Sequence, residues 1–140
     1  MSRDSDWSVS ALAYLGDFVV ELFVSESLVG KGLSHSSSLN RAALDFVCAS
    51  AQAAAMERLL PHLTDEEALC YRRGRNSGHL NFPKNAKPAQ YRMATGMEVL
   101  FGYLHVTGQE SRARELFALA YGFSDSENEN TTENKENTHE

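Results

Sequence analysis

Residues 93–107, MATGMEVLFGYLHVT, form a strongly apolar stretch from which the rest of the fold can be worked out. Glu98 is the only acid or permanently charged residue in it. A helix this apolar must be largely buried, and a lone carboxylate there is costly unless it is paired, protonated or bound to a metal. Gly96 and Gly102 each cost about 1 kcal/mol relative to Ala in mid-helix. Such glycines usually allow another backbone or a ligand to come close, so we expect a close approach at this helix.

Four more helices are predicted around this central one, which covers residues 88–107. Apolar residues spaced three and four apart indicate a first helix over residues 10–28, and a long alanine-rich helix is expected over residues 38–61. Residues 64–67 have the sequence of a capping box and start a further helix. The last helix covers residues 110–121. Because no segment alternates with a period of two, the predicted fold class is all-α.

The first predicted helix carries Asp17 and Glu21 one turn apart, on the side away from its core stripe. Like charges at this spacing destabilise an exposed helix by roughly 0.2–0.5 kcal/mol. Tyr14 and Val20 are among the apolar residues around them, which indicates that the second face of the helix is also covered. In so small a domain a second protomer is a candidate for that cover. The alternative is a solvent-facing acidic pair on an ordinary surface helix.

Asp17 and Glu98 are explained better together than apart. Each is an isolated acid on an apolar helix that is expected to pack into the core. A hard divalent cation between the two carboxylates removes both burial penalties at once. The alternative for Glu98 is a buried carboxylate that is satisfied by an arginine or by His105.

The charge of the chain is unevenly distributed. Residues 123–140 hold six acids and one lysine, with no apolar residue after Phe123, so we expect a disordered acidic tail behind one domain at residues 1–122. No acid occurs between Glu67 and Glu98, whereas six basic residues do. Such a basic patch typically faces a polyanion; the alternative is a solvated loop. The basic patch comprises Arg72, Arg73, Arg75, Lys84, Lys87 and Arg92.

Length and composition exclude several classes of protein. A chain of 140 residues, 42% hydrophobic and 23% charged, is ordinary for one globular domain. No run of apolar residues is long enough to cross a bilayer, and the N-terminal MSRDSDWS lacks the apolar core of a secretory signal. Cys48 and Cys70 are expected to be free, buried thiols in a reducing cytoplasm. A membrane protein, a secreted disulfide scaffold and a two-domain enzyme are excluded on these grounds.

Three blocks of sequence resemble the ribonuclease III catalytic domain, and specifically its mini-ribonuclease III subgroup, which lacks a double-stranded-RNA-binding domain. LAYLGDFVVELFV at 12–24 is similar to the family's E-F-L-G-D signature, and ATGMEVLFGYLHVTG at 94–108 is similar to its D-x-x-E-A-L-x-G helix. YRRGRN at 71–76 lies between them. The resemblance covers about residues 9–122 and implies a helical bundle that forms a homodimer.

The resemblance also implies roles for individual residues. Asp17 matches the essential aspartate of the signature and Glu98 matches the essential glutamate, so both are implied as catalytic ligands of Mg²⁺. Glu21 and Thr95 are implied to lie just behind these ligands. Full-length members of the family have acids where this chain has Ala13 and Thr95. We therefore expect fewer protein ligands for the metal and more water or phosphate in its coordination shell.

The implied function is a Mg²⁺-dependent endonuclease that cuts double-stranded RNA, leaves a 5′-phosphate, and matures the ends of the large-subunit ribosomal RNA precursor. The basic patch, with Asn76, would then grip the duplex, while one or two of its arginines are expected to pair with Asp65, Glu66 or Glu67. One alternative is an inactive RNA-binding or assembly protein on the same fold, which the missing acids favour. Another is an all-α interaction module without nucleic acid, which the acidic tail favours.

Overall fold

Six α-helices and no strand make up the part of the chain that the computed structural model describes, residues 7–77, 84–85 and 87–122. The all-α prediction is confirmed. The expected acidic tail, residues 123–140, lies outside the described residues. The helices are α1 (Val9–Gly30), α2 (Ser36–Val47), α3 (Ala49–Leu59), α4 (Asp65–Arg75), α5 (Pro88–Val106) and α6 (Glu110–Tyr121), with a 3₁₀ turn at Leu60–His62.

The helix α5 lies at the centre of the fold, as its apolar sequence predicts. It packs against α1, α3, α4 and α6. Met97, Leu100, Phe101 and Leu104 of α5 are fully buried, and each such side chain contributes about 1.5–3 kcal/mol through the hydrophobic effect. The position of α5 therefore determines where the surrounding helices sit. None of the helices in the described part of the chain combines the length and apolarity needed to cross a bilayer.

The prediction of one helix over residues 38–61 is wrong, because the chain bends at Cys48. The backbone there is extended (ψ 155°), which ends α2 and puts Cys48 at the N-cap of α3. The bend lets α2 pack against α1 while α3 packs against α5 and α6, and one straight helix could not follow both surfaces. α2 also begins earlier than expected, at Ser36. Both thiols are free, but Cys48 is exposed and only Cys70 is buried.

The capping box predicted at the start of α4 is present. Thr64 Oγ1 accepts a hydrogen bond from the Glu67 backbone N–H at 3.2 Å, and the Glu67 carboxylate accepts one from the Thr64 N–H at 2.9 Å. The buried Glu67 carboxylate also accepts hydrogen bonds from Arg112 of α6 at 2.8 and 2.9 Å. Mainly because of Arg112, the pKa of Glu67 lies below its usual range. This ion pair fastens the N-terminus of α4 to α6.

For Arg72, Arg73 and Arg75, the arginines of the basic patch that lie on α4, the expected pairing with the acids of α4 is not found within the described residues. Glu67 is occupied by Arg112, and the ion pairs within the described residues include neither Asp65 nor Glu66. The reason is that the acids lie in the first turn of α4 and these three arginines in its last turn. Each set complements the helix dipole at its own end, and the two sets are too far apart along the helix to meet.

The helices α4 and α5 approach each other through glycines. A Cβ placed on Gly74 would lie 2.8 Å from the Gly96 Cα, and a Cβ placed on Gly96 would lie 2.6 Å from the Tyr71 ring. Both distances are shorter than a carbon–carbon contact allows. The close approach of another backbone that Gly96 predicts is therefore found, and α4 is seated directly on α5.

Candidate metal centre

The helices α1 and α5 run antiparallel and touch through their main chains at two points, one helical turn apart. A Cβ placed on Gly16 would overlap the Glu98 carbonyl oxygen and lie 2.5 Å from the carbonyl carbon. A Cβ placed on Gly102 would overlap the Leu12 carbonyl oxygen and lie 2.8 Å from its carbonyl carbon. Only glycine fits at either point, because it has no side chain. The crossing brings Asp17, which follows Gly16, beside Glu98.

At this crossing the pKa values of three acids, Asp17, Glu21 and Glu98, are raised by burial or by one another. Burial raises the pKa of Glu98, and the Asp17 and Glu21 carboxylates raise it further, to about 8. Burial also raises the pKa of Asp17, and burial together with Asp17 raises that of Glu21. The negative charges of these carboxylates therefore repel one another near the crossing of α1 and α5. A cation among them would stabilise the charged form of each carboxylate.

No ion pair within the described residues neutralises this acidic cluster. The ion pairs found there all involve Arg112 or Arg114 of α6, and His105 is exposed on α5. Nothing in the described part of the chain therefore supports the alternative in which an arginine or His105 satisfies Glu98. Among the residues described, no cationic side chain forms an ion pair with the Glu98 carboxylate.

The donors at the crossing fit a hard divalent cation. Carboxylate oxygens are the ligands such ions prefer, and Mg²⁺ is usually held by one or two carboxylates while it keeps several waters. Across residues 7–77, 84–85 and 87–122, no group of three or more His, Cys, Asp or Glu side chains is placed to hold a metal ion. A pair of ligands, Asp17 and Glu98, is consistent with that finding, and Glu21 is then an exposed outer charge.

The structure places Thr95 one turn before Glu98 on α5. Its hydroxyl donates a hydrogen bond to the Tyr91 carbonyl oxygen at 3.0 Å, and the residue is 9% exposed. A hydroxyl engaged with its own helix adds no charge to the acidic cluster.

The basic patch lies on α4 and at the start of α5. Arg72 and Arg73 are exposed on α4 and take part in no ion pair among the residues described. Arg75 lies over the Tyr71 ring, 5.6 Å from its centroid, and its Nε donates to the Asn76 Oδ1 at 3.2 Å. Lys84, Lys87 and Arg92 are exposed. Since α4 is seated on α5, the patch and the acidic cluster belong to neighbouring helices.

An exposed apolar stripe runs along α1 beside the acidic cluster. It consists of Tyr14, Phe18 and Leu22, which are 67%, 54% and 54% exposed. The Tyr14 and Phe18 rings form an edge-to-face pair with centroids 5.1 Å apart. Adjacent large apolar side chains left open to water are typical of a surface that another protein covers.

Sequence reasoning missed Gly16 as a contributor to this site. The mid-helix glycines of α5 stand out because they interrupt a very apolar helix, and Gly16 has the same character in α1. The available signal was a glycine inside a helical pattern directly before an acid.

Comparisons with known proteins show the family of the chain. A family model for the ribonuclease III domain matches residues 10–109. The mini-ribonuclease 3 of Symbiobacterium thermophilum is 46% identical over 112 residues, which cover 80% of this chain and 86% of that protein. The mini-ribonuclease 3 of Enterococcus faecalis is 45% identical over 108 residues, or 76% of this chain and 82% of that protein.

A comparison of structures supports the fold independently. A crystal structure of a protein from Fusobacterium nucleatum superposes with a TM-score of 0.76 at 24% sequence identity, covering 84% of this chain and 95% of that one. The region matched by the family model runs from the first turn of α1 beyond the end of α5, so it includes both crossing glycines and both candidate ligands. The chain therefore belongs to the ribonuclease III family of metal-dependent endoribonucleases, and within that family to the mini-ribonuclease 3 branch.

Proposed function

We propose that Asp17 and Glu98 hold Mg²⁺ and that the protein uses it to hydrolyse double-stranded RNA, with the large-subunit ribosomal RNA precursor as its substrate. The observation that carries the proposal is the contact of Gly16 with the Glu98 backbone, which brings Asp17 beside Glu98; burial and the Asp17 and Glu21 carboxylates there raise the pKa of Glu98 to about 8. A carboxylate in that position is costly to keep charged. A divalent cation that binds there offsets this cost, so the site favours binding. A ribosomal substrate would place the enzyme in the cytoplasm.

The residues of the site have separate tasks in this reaction. When bound, the cation supplies a water of lowered pKa and neutralises charge on the scissile phosphate. Asp17 and Glu98 orient it from two helices whose crossing is fixed. Glu21 adds negative charge that attracts a cation from solution. Thr95, which carries no charge, leaves coordination positions to water and phosphate. Hydrolysis of the phosphodiester by water would leave a 5′-phosphate and a 3′-hydroxyl.

Cleavage of defined RNA duplexes tests the proposal. We expect the protein to cut duplex RNA in Mg²⁺ and leave 5′-phosphate ends, and we expect Asp17→Asn to abolish cutting while the helical circular dichroism spectrum is retained. Asp45→Asn, which removes an exposed acid from α2, is the matched control and should cut normally. A stem formed by the paired ends of a large-subunit ribosomal RNA precursor should be cut faster than an unrelated duplex of equal length.

Other outcomes of this experiment have definite meanings. Binding without cutting in Mg²⁺ would overturn the proposed nuclease and favour an RNA-binding or assembly protein on the same fold. Equal cutting of both duplexes would overturn the ribosomal substrate alone.

In this proposal the basic patch binds the RNA duplex. Duplex RNA is recognised largely through its shape, phosphates and 2′-hydroxyls, for which exposed arginines are suited. We expect Arg72→Ala combined with Arg73→Ala to weaken duplex binding and to lower the slope of log affinity against log salt by roughly one for each phosphate that the variant no longer binds. Fluorescence anisotropy at several KCl concentrations, without cleavage in Ca²⁺, measures both quantities.

A matched pair of substitutions controls for net charge. Lys31→Ala combined with Arg41→Ala also removes two positive charges but lies outside the basic patch, so it should leave the salt slope unchanged. If both double variants behave alike, the patch has no specific role in RNA binding.

The apolar stripe on α1 is the surface that we assign to the homodimer. Phe18→Gln makes the centre of the stripe polar without adding charge beside Asp17. We expect this variant to elute with the mass of one chain, 15.5 kDa, where the unaltered protein elutes with twice that mass, as measured by light scattering after size exclusion. Leu44→Gln alters a similarly exposed side chain, 64% exposed on α2, and should not change the mass. A Phe18→Gln dimer would place the interface elsewhere.

A further inference from the structure

Arg75 differs from the other two arginines of α4 in what holds its side chain. The side chains of Arg72 and Arg73 are exposed and make no hydrogen bond, ion pair or ring contact within the described residues. The Arg75 guanidinium lies over the Tyr71 ring, 5.6 Å from its centroid, and its Nε donates a hydrogen bond to Asn76 Oδ1 at 3.2 Å. Arg75 is therefore the arginine of α4 whose guanidinium the neighbouring side chains hold in one place.

The ring beneath Arg75 is part of the packed interior. Tyr71 is 3% exposed, and a Cβ placed on Gly96 of α5 would lie 2.6 Å from its ring. Packed interiors resist small displacements, so the ring is a firm support for the guanidinium. Gly96 comes two residues before Glu98 on the same helix. The contacts that begin at Arg75 therefore end on the helix that carries a candidate metal ligand.

The held guanidinium suits a phosphate group. An arginine whose Nε is engaged keeps two terminal nitrogens, which can donate parallel hydrogen bonds to one phosphate. A lysine carries the same charge but has neither the planar shape nor the paired donors. Among the ion pairs of residues 7–77, 84–85 and 87–122, none involves Arg75. Contacts to phosphates fix the orientation of a protein on a duplex, and a firmly held donor does so more narrowly than a flexible one.

We propose that Arg75, held by Tyr71 and Asn76, binds a phosphate of the RNA duplex and aligns the scissile phosphodiester with the metal site, while Arg72 and Arg73 supply affinity. This inference rests on the proposed function and deepens it. Long, exposed side chains can hold a duplex in many alignments, and a small misplacement of the reacting group slows a reaction strongly. One fixed contact raises the share of productive alignments. It therefore acts on the rate of cleavage more than on the affinity for RNA.

Arg75→Lys tests this inference because it keeps the charge and removes the stacked, forked guanidinium. We expect single-turnover cleavage of one defined duplex in Mg²⁺, with the enzyme at saturating concentration, to be about tenfold slower, a difference of about 1.4 kcal/mol in barrier height. The affinity for the same duplex, from fluorescence anisotropy in Ca²⁺, should change by less than about twofold because the charge is kept.

Two comparisons accompany this variant. Arg41→Lys makes the same substitution at an exposed arginine of α2, outside the basic patch, and should change neither the rate nor the affinity. Arg72→Ala combined with Arg73→Ala should show the opposite pattern from Arg75→Lys, with the larger loss in affinity.

Substitutions of the supporting ring test the same step without touching Arg75. Tyr71→Leu removes the ring and should slow saturated cleavage about as much as Arg75→Lys does. Tyr71→Phe, the conservative variant, keeps the ring and should recover most of the rate that Tyr71→Leu loses.

The possible results separate this inference from the proposed function. An Arg75→Lys variant that cuts at the unaltered rate, or that loses affinity rather than rate, would overturn the inference and leave the nuclease in place. An unaltered protein that does not cut duplex RNA would overturn the proposed function, and the inference with it.

Discussion

Glu98→Gln is expected to unfold at a higher temperature than the unaltered protein when both are free of divalent cations near neutral pH, and to cut duplex RNA at least about 10²-fold more slowly. Glutamine has the shape of glutamate but no charge to bury. The stabilising effect and the loss of activity have one cause, which is the carboxylate held beside Asp17 and Glu21. A substitution that only damaged the fold would lower both the unfolding temperature and the rate of RNA cleavage.

The direction of the pH dependence follows from the pKa of Glu98. Its folded value is raised from 4.5 to about 8, so between these limits the folded protein binds more protons than the unfolded chain. Stability is then greatest below pH 4.5 as far as this group is concerned, and it declines as the pH rises toward 8. At about 1.4 kcal/mol per pKa unit over the interval from pH 4.5 to pH 7, the cost at pH 7 is about 3 kcal/mol.

Thermal unfolding at pH 5, 6, 7 and 8 in EDTA measures this dependence. The unaltered protein should lose stability across the series, whereas Glu98→Gln should lose much less. Millimolar Mg²⁺ should raise the unfolding temperature of the unaltered protein at pH 8 and leave that of the variant unchanged. Glu57→Gln, at an exposed acid of α3, is the control. A variant less stable than the unaltered protein at pH 8 would contradict the burial cost that we assign to Glu98.

Gly16→Ala is expected to destabilise the protein by about 3 kcal/mol or more, toward the upper end of what overpacking costs. The added carbon would overlap the Glu98 carbonyl oxygen, which belongs to the backbone of a buried helix and cannot rotate away. Relief requires α1 and α5 to separate along the largest helix–helix contact of the fold. Urea denaturation in the presence of EDTA measures the loss without any contribution from the metal.

Gly30→Ala on the same helix provides the comparison. A Cβ at Gly30 would meet no atom within 4 Å, so the substitution should be neutral or should stabilise by up to about 1 kcal/mol through helix propensity. Similar effects of the two substitutions would show that α1 and α5 do not touch at Gly16.

The local signals in the sequence predicted the helices well, because their causes are local. The capping box at Thr64 and Glu67 lies within four residues and appears as expected. The bend at Cys48 was not predictable, since an alanine-rich run is compatible with one helix or two. What separates α2 from α3 is the pair of surfaces on which they pack, and those surfaces come from distant parts of the chain.

The same distinction applies to the site. An acid alone in an apolar helix already indicates that Glu98 needs a partner, and its pairing with Asp17 follows from chemistry and from family resemblance. The partner of Glu67, by contrast, is Arg112, 45 residues away, and no local pattern connects them. Nor does sequence spacing show that Gly16 and Glu98 touch, because that contact exists only after two helices have crossed.

The seat of α4 on α5, where Gly74 meets Gly96, has a consequence for attempts to retarget this enzyme. The helix α5 packs against α4, which carries three arginines of the basic patch, and α5 also carries Glu98. A library that randomises the contact residues between α4 and α5 would alter substrate choice and turnover together. The two effects would then be hard to distinguish in any one variant. Substitutions confined to the exposed side of α4, at Arg72 and Arg73, would vary RNA recognition and leave the positions of Asp17 and Glu98 unchanged.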